Sequence, residues 1–153
     1  MAQVFISYSR QDKEFVLKLR DALQATGRDV WMDLHDIPPS AQWKQEIANA
    51  IDAADAFVFV ISPDSVTSAA CLSEIAQAVA ARKRIIPIVV RDVDPRQAPP
   101  EIAALNWIFF RPTDDRNLAL QQLRFALDTD LDFWHKGSDI LVRARKWDAN
   151  RRN

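Results

Sequence analysis

Six consecutive apolar residues, Ala56-Phe57-Val58-Phe59-Val60-Ile61, constrain this chain more than any other feature. The run is too short for a typical helix and is rich in β-branched and aromatic residues, so it reads as a strand. A strand apolar at every position has no face to offer water. It belongs inside a parallel sheet covered by helices on both sides. The rest of the chain supplies such a sheet. Strands are expected over 4–8, 30–32, 85–90 and 107–110. Helical spacing recurs between them, with Phe15, Leu19 and Leu23 in the first helix (12–26) and Trp43, Ile47, Ile51 and Ala54 in the second. The third helix runs over 70–82, and the fifth carries Leu120, Leu123 and Leu127. Gly27 stands where a helix end favours a left-handed residue. The stretch holding Pro95, Pro99 and Pro100 reads as irregular. Strands alternating with helices indicate an α/β, doubly wound domain.

Composition narrows the function. A formal net charge of -1 argues against a nucleic-acid or anionic-membrane surface, and no apolar run is long enough to span a bilayer. The single cysteine, Cys71, excludes an internal disulfide. It suits a reducing compartment and reads as a buried, inert thiol. With the first strand beginning beside Met1, no signal peptide is expected, and the protein is expected to be cytoplasmic. Two glycines, Gly27 and Gly137, cannot write a glycine-rich dinucleotide loop or a P-loop. No metal-ligand spacing appears, and His35 and His135 read as surface residues. We therefore expect no metal and no bound cofactor.

Chemistry is expected at the C-terminal ends of the strands. Val4-Phe5-Ile6-Ser7-Tyr8 runs straight into Ser9-Arg10-Gln11-Asp12, with Ser9 three residues before Asp12, the spacing of a helix cap. In an open α/β sheet, ligands sit beside such a loop. Ser9 and Arg10 are either a cap and a solvated cation or part of a site. On the third helix, Leu72, Ile75, Ala76 and Val79 form the expected core face. Glu74 then lies about 130° from its centre, flanked by Ala70, Ala78 and Ala81. Periodicity leaves open whether that glutamate is solvated or faces a ligand. Trp43 either anchors the second helix or borders the crevice.

The blocks Phe5-Ile6-Ser7-Tyr8-Ser9-Arg10, Val30-Trp31-Met32-Asp33, Phe57 through Ser62, and Ser68-Ala69-Ala70-Cys71-Leu72-Ser73-Glu74 follow one another in an order that resembles TIR domains. These are the Toll/interleukin-1 receptor and resistance-protein modules. The likeness runs from Gln3 to about Leu127, so the TIR domain is expected over 1–128 with an amphipathic extension or linker over 129–153. It implies a flavodoxin-like five-stranded parallel sheet in the order 2-1-3-4-5. It implies Glu74 as the catalytic residue of NAD⁺ cleavage at the nicotinamide–ribose bond, with Tyr8, Ser9, Arg10, Asp33 and Trp43 as substrate-binding candidates. Arg10 would meet a pyrophosphate oxygen, and Tyr8 and Trp43 would border or stack on the rings. NAD⁺ is then a substrate, cleaved by hydrolysis or cyclisation.

The implied partners are other TIR domains, through self-association in bacterial defence or signalling. The 33–43 loop is the expected contact surface. The chain departs from the family pattern at Ala70, where a tryptophan is usual, and at Pro38-Pro39-Ser40, where the loop usually holds a glycine. The alternative is a non-catalytic adaptor acting through TIR–TIR association. A receiver domain of similar topology is set aside, because Ser7, Ser9 and Arg10 stand where it needs acidic residues. The 140–147 stretch further suggests the N-terminal module of a longer protein.

Overall fold

The computed structural model describes residues 3–33 and 40–128. The extension over 129–153, His35, His135 and the Pro38-Pro39 part of the expected contact loop lie outside the described residues. Five strands form one sheet: β1 (Gln3–Ser7), β2 (Asp29–Met32), β3 (Ala56–Ile61), β4 (Arg84–Val89) and β5 (Ile108–Phe109). Their order is 2-1-3-4-5, and every neighbouring pair is parallel. This is the flavodoxin-like arrangement expected.

Alternation along the strands divides the core into two layers. Val4 and Ile6 of β1 with Val58 and Val60 of β3 face α1 (Lys13–Gln24) and α5 (Arg116–Asp128), where Val16, Leu19, Leu23, Leu123 and Leu127 meet them. Phe5, Phe57, Phe59 and Ile61 face the other way, onto α2 (Ala41–Ala53) and α3 (Ala69–Ala80). All six residues of β3 are buried, as an apolar run in the middle of a covered sheet must be.

The helix starts are set by local hydrogen bonds. Ser40 Oγ accepts from Trp43 N at 3.1 Å, Ser68 Oγ from Cys71 N at 3.2 Å, and Asp115 Oδ1 from Leu118 N at 3.1 Å. Each occupies a backbone N–H that the first turn leaves without an intrahelical partner. Gly27, at φ 88°, closes α1 as expected.

Three expectations are corrected. The segment read as irregular contains a 3-10 turn (Pro95–Gln97) and a short helix, α4 (Pro100–Ala103), whose Ile102 is fully buried. Four residues are too few to show a period. Asp12 does not open α1 by itself, because a 3-10 turn (Arg10–Asp12) intervenes. Ser9 Oγ accepts from Gln11 N at 3.3 Å, while the Asp12 carboxylate turns inward.

The third correction is the core face of α3. It is Cys71, Glu74, Ile75 and Ala78, while Leu72 and Val79 are 39% and 44% exposed. Both stripes have helical spacing and share Ile75. The larger side chains favoured the wrong one. The small Cys71 and Ala78 let the helix sit close to the aromatic face of the sheet, and Glu74 finds a buried partner there.

Candidate active site

The sheet order reverses between β1 and β3, and a crevice opens beyond their C-terminal ends. A cleft of about 550 Å³ lies on the α2/α3 side, a size that suits a small-molecule ligand. Arg10 reaches it from the turn after β1 and Asp33 from the end of β2. Trp43, Lys44 and Ile47 come from α2; Ala69, Ala70, Ser73, Glu74 and Gln77 come from α3.

Glu74 is the unusual member. It is only 8% exposed, so the solvated-glutamate alternative does not hold. Its Oε1 accepts a hydrogen bond from Ser7 Oγ at 2.7 Å. Burial pushes its pKa from the usual 4.5 up to about 7; the Ser7 bond opposes that rise, and the negative charge of Asp33 adds to it. A carboxyl group shifted towards neutrality by burial and a neighbouring charge, lining a cleft, is a candidate for a functional site.

Trp43 both anchors its helix and borders the cleft. Its ring stacks on Trp31, with centroids 5.8 Å apart. Trp31 stacks on Phe5 at 5.0 Å, and Phe5 on Phe57 at 5.3 Å. A column of four rings thus runs from the centre of the sheet to the cleft wall. The Trp43 indole Nε1 is buried and finds no hydrogen-bond partner among the described residues.

Of the residues expected at the site, Glu74, Arg10, Asp33 and Trp43 come together. Tyr8 and Ser9 do not line the cleft. Tyr8 is 3% exposed and packs in the α1/α5 layer, its hydroxyl donating to the main-chain carbonyl of Asp33. It holds the end of β2 beside β1, in the core layer on the other face of the sheet from this cleft. Strand alternation explains the correction: Ser7 and Tyr8 project from opposite faces, so only one of them can reach this cleft. That same alternation, which places Ser7 with Phe5, was the signal that could have found Ser7. Lys44 and Gln77 were also missed. Gln77 stands three residues after Glu74, within the same helical stripe. Among the described residues no three His, Cys, Asp or Glu side chains gather as a metal ion requires.

A doubly wound parallel sheet with a buried carboxylate at its switch point defines the class: a flavodoxin-like α/β domain with a cleft at that point. Residues 4–124 match the model of the TIR domain family, and the chain belongs to that family. No curated protein matches it. Among solved structures, the chain is similar to the TIR domains of the activated Roq1 resistosome, which directly recognises the pathogen effector XopQ. There the identity is 20% and the TM-score 0.67, over 83% of this chain and 99% of that one. The TIR domain of the Toll-related receptor TRR-2 from Hydra magnipapillata is 22% identical, with a TM-score of 0.69 over 81% and 96% of the two chains. The CMP N-glycosidase BcmB of Clostridium botulinum is 21% identical, with a TM-score of 0.57 over 80% and 98%. At these identities the likeness is one of fold.

Proposed function

We propose that this TIR domain cleaves the N-glycosidic bond of NAD⁺, with Glu74 as the catalytic residue and self-association of the domains as its trigger. The single observation that carries this reading is the Glu74 carboxylate, buried and hydrogen-bonded yet lining the cleft. Cutting the nicotinamide–C1′ bond sends the bonding pair to the pyridinium nitrogen, so nicotinamide leaves neutral and needs no proton. The ribosyl group becomes an oxocarbenium ion. An ionised Glu74 stabilises that charge, and its burial strengthens the interaction relative to one in open water. Water then adds to C1′ and releases a proton, giving ADP-ribose. Trp43 offers a planar wall to a ring, and Arg10 and Lys44 offer cations to the pyrophosphate. Ala70 leaves space where the family pattern has an aromatic side chain.

The test is incubation of concentrated protein with NAD⁺ and chromatographic separation of nicotinamide from ADP-ribose or a cyclic product, with Glu74→Gln beside it. Nicotinamide release that falls by about 10²-fold or more in the variant supports the reading. Equal release by both proteins removes Glu74 from the mechanism. CMP belongs in the same assay, because Asp33 and Glu74 place two carboxylates on one cleft. A neutral base needs acid assistance, and a carboxyl group titrating near pH 7 can supply it. Light scattering across the same concentration range tests whether turnover follows assembly.

A further inference from the structure

Ser7 is 1% exposed, beneath the cleft floor. Its backbone is fixed by the sheet, since β1 pairs with β2 on one side and with β3 on the other. Ser7 itself is in register with Phe59 of β3. The Ser7 side chain also lies against the Cys71 thiol, one helical turn before Glu74 on α3. Burial holds that thiol's pKa up at about 11, so Cys71 brings an S–H and no charge. A thiol is a weak donor and a weak acceptor. The Ser7 hydroxyl proton therefore goes to the carboxylate, 2.7 Å away. This is the one hydrogen bond Glu74 accepts from the described side chains.

We propose that Ser7 is a positioning residue for Glu74, holding Oε1 in place so that Oε2 is presented to the cleft. A glutamate has three side-chain torsions, and an unanchored carboxylate at a cleft wall samples several rotamers. A hydroxyl on the central part of a sheet removes that freedom and favours the ionised form. Among the described residues, the charged and titratable groups around Glu74 are few. Asp33 faces it from the end of β2, Arg10 from the turn before α1, and Lys44 from α2. Cys71 lies on its own helix, with Asp12 close enough to influence that thiol. Burial and Asp33 disfavour the charge, and the Ser7 bond opposes both. Without that bond the carboxylate titrates at a higher pH.

The catalytic consequence rests on the proposed NAD⁺ cleavage; the titration of Glu74 does not. The experiment is a carboxyl-carbon NMR titration of protein labelled on glutamate, with the Glu74 signal assigned by its loss in Glu74→Gln. Ser7→Ala should raise the Glu74 midpoint by about one to two pH units, and Ser7→Thr should return it towards wild type. Ser7→Cys, kept reduced, preserves the volume with a weaker donor and should shift the midpoint in the same direction if the alanine variant does not fold. The acid limb of the pH–rate profile for NAD⁺ should move by the same amount, with turnover at neutral pH about tenfold or more lower. An unchanged midpoint in a folded Ser7→Ala or Ser7→Cys protein overturns the proposal. So does lost activity with no movement of the pH profile. If wild type releases no nicotinamide, NAD⁺ cleavage fails while the titration still decides the role of Ser7.

Discussion

Asp12 Oδ1 accepts the Nε proton of Arg91 at 2.9 Å, joining the turn after β1 to the end of β4. Ser62, after β3, donates to the other carboxylate oxygen at 2.6 Å. Three loops at the C-terminal edge of the sheet thus converge on one buried carboxylate. Arg91 also donates to Asp64 at 2.6 Å, and these two acids, Asp12 first, raise its pKa.

Arg91→Ala should destabilise the domain. The Asp12 side chain is 5% exposed and would keep Ser62 as its remaining side-chain partner. The arginine is itself 44% exposed, so water replaces part of what is lost. A cost of about 1–3 kcal/mol is expected, read as a lower urea midpoint with an unchanged slope. Arg10 stands two residues before Asp12, and so the apparent affinity of the cleft should fall as well. A variant as stable as wild type would show that the joint is decorative.

Glu74 should make the protein less stable as the pH rises. Its folded-state pKa of about 7 lies above the ordinary 4.5. Between those values the folded chain holds a proton that the unfolded chain has released, so stability falls across this window. Below it both states are protonated and the penalty vanishes; above it the penalty is complete. Glu74→Gln should therefore be more stable than wild type at pH 8, by up to roughly 3 kcal/mol, and nearly equal to it at pH 4. Thermal melts at the two pH values decide this. Equal melting temperatures at pH 8 would mean that the carboxylate carries no burial penalty.

The fold was legible because each strand carried its own signal, and β3 carried it at every residue. The switch-point location of the cleft follows from the order of the strands, which the likeness to TIR domains implied and periodicity did not. What the sequence left hidden was rotation. Two stripes on α3 share Ile75, and nothing within the helix says which faces the sheet; the answer depends on Ser7, 67 residues away. Asp12 was hidden for a similar reason. A short acid at a helix start reads as a cap, and only the approach of Ser62 and Arg91 makes it a tertiary joint. Tyr8 and Ser7 differ for a simpler reason, since the period-2 alternation of a strand puts their side chains on opposite faces of the sheet.

Trp43 should serve binding through its ring alone. Its indole N–H is buried and has no partner among the described residues, an arrangement that costs free energy in the folded state. Trp43→Phe removes the stranded donor and keeps an aromatic face towards Trp31 and the cleft. It should retain substrate affinity within a few fold. Trp43→Ala should raise KM by about 5- to 100-fold, the range for losing one base–aromatic stack, without moving the pH profile. Tryptophan fluorescence gives an independent reading, because ligand binding beside Trp43 should perturb wild type more than Trp43→Phe. If Trp43→Phe loses as much affinity as Trp43→Ala, the indole N–H has a role that the ring does not.

The ends of α1 and α3 allow a matched pair of substitutions. Gly27 has φ 88° and Arg82 has φ 56°, both in the left-handed region. Each follows a similar reversal: Arg28 N meets Leu23 O at 3.4 Å after α1, and Lys83 N meets Ala78 O at 2.9 Å after α3. Glycine adopts that region without a Cβ clash, whereas arginine pays roughly 1–2 kcal/mol for it. Arg82→Gly relieves the clash but gives the unfolded chain more freedom, so the net gain should be about 0.5–1 kcal/mol. Gly27→Ala should lose a similar amount, because the clash it acquires is partly offset by the smaller freedom of its unfolded chain. For a domain of this size the two should move the melting temperature by a few degrees in opposite directions. Arg82 is exposed and is not among the cleft-lining residues, so its substitution should leave turnover unchanged. A fall in stability on Arg82→Gly would show that the arginine side chain contributes more than its backbone costs.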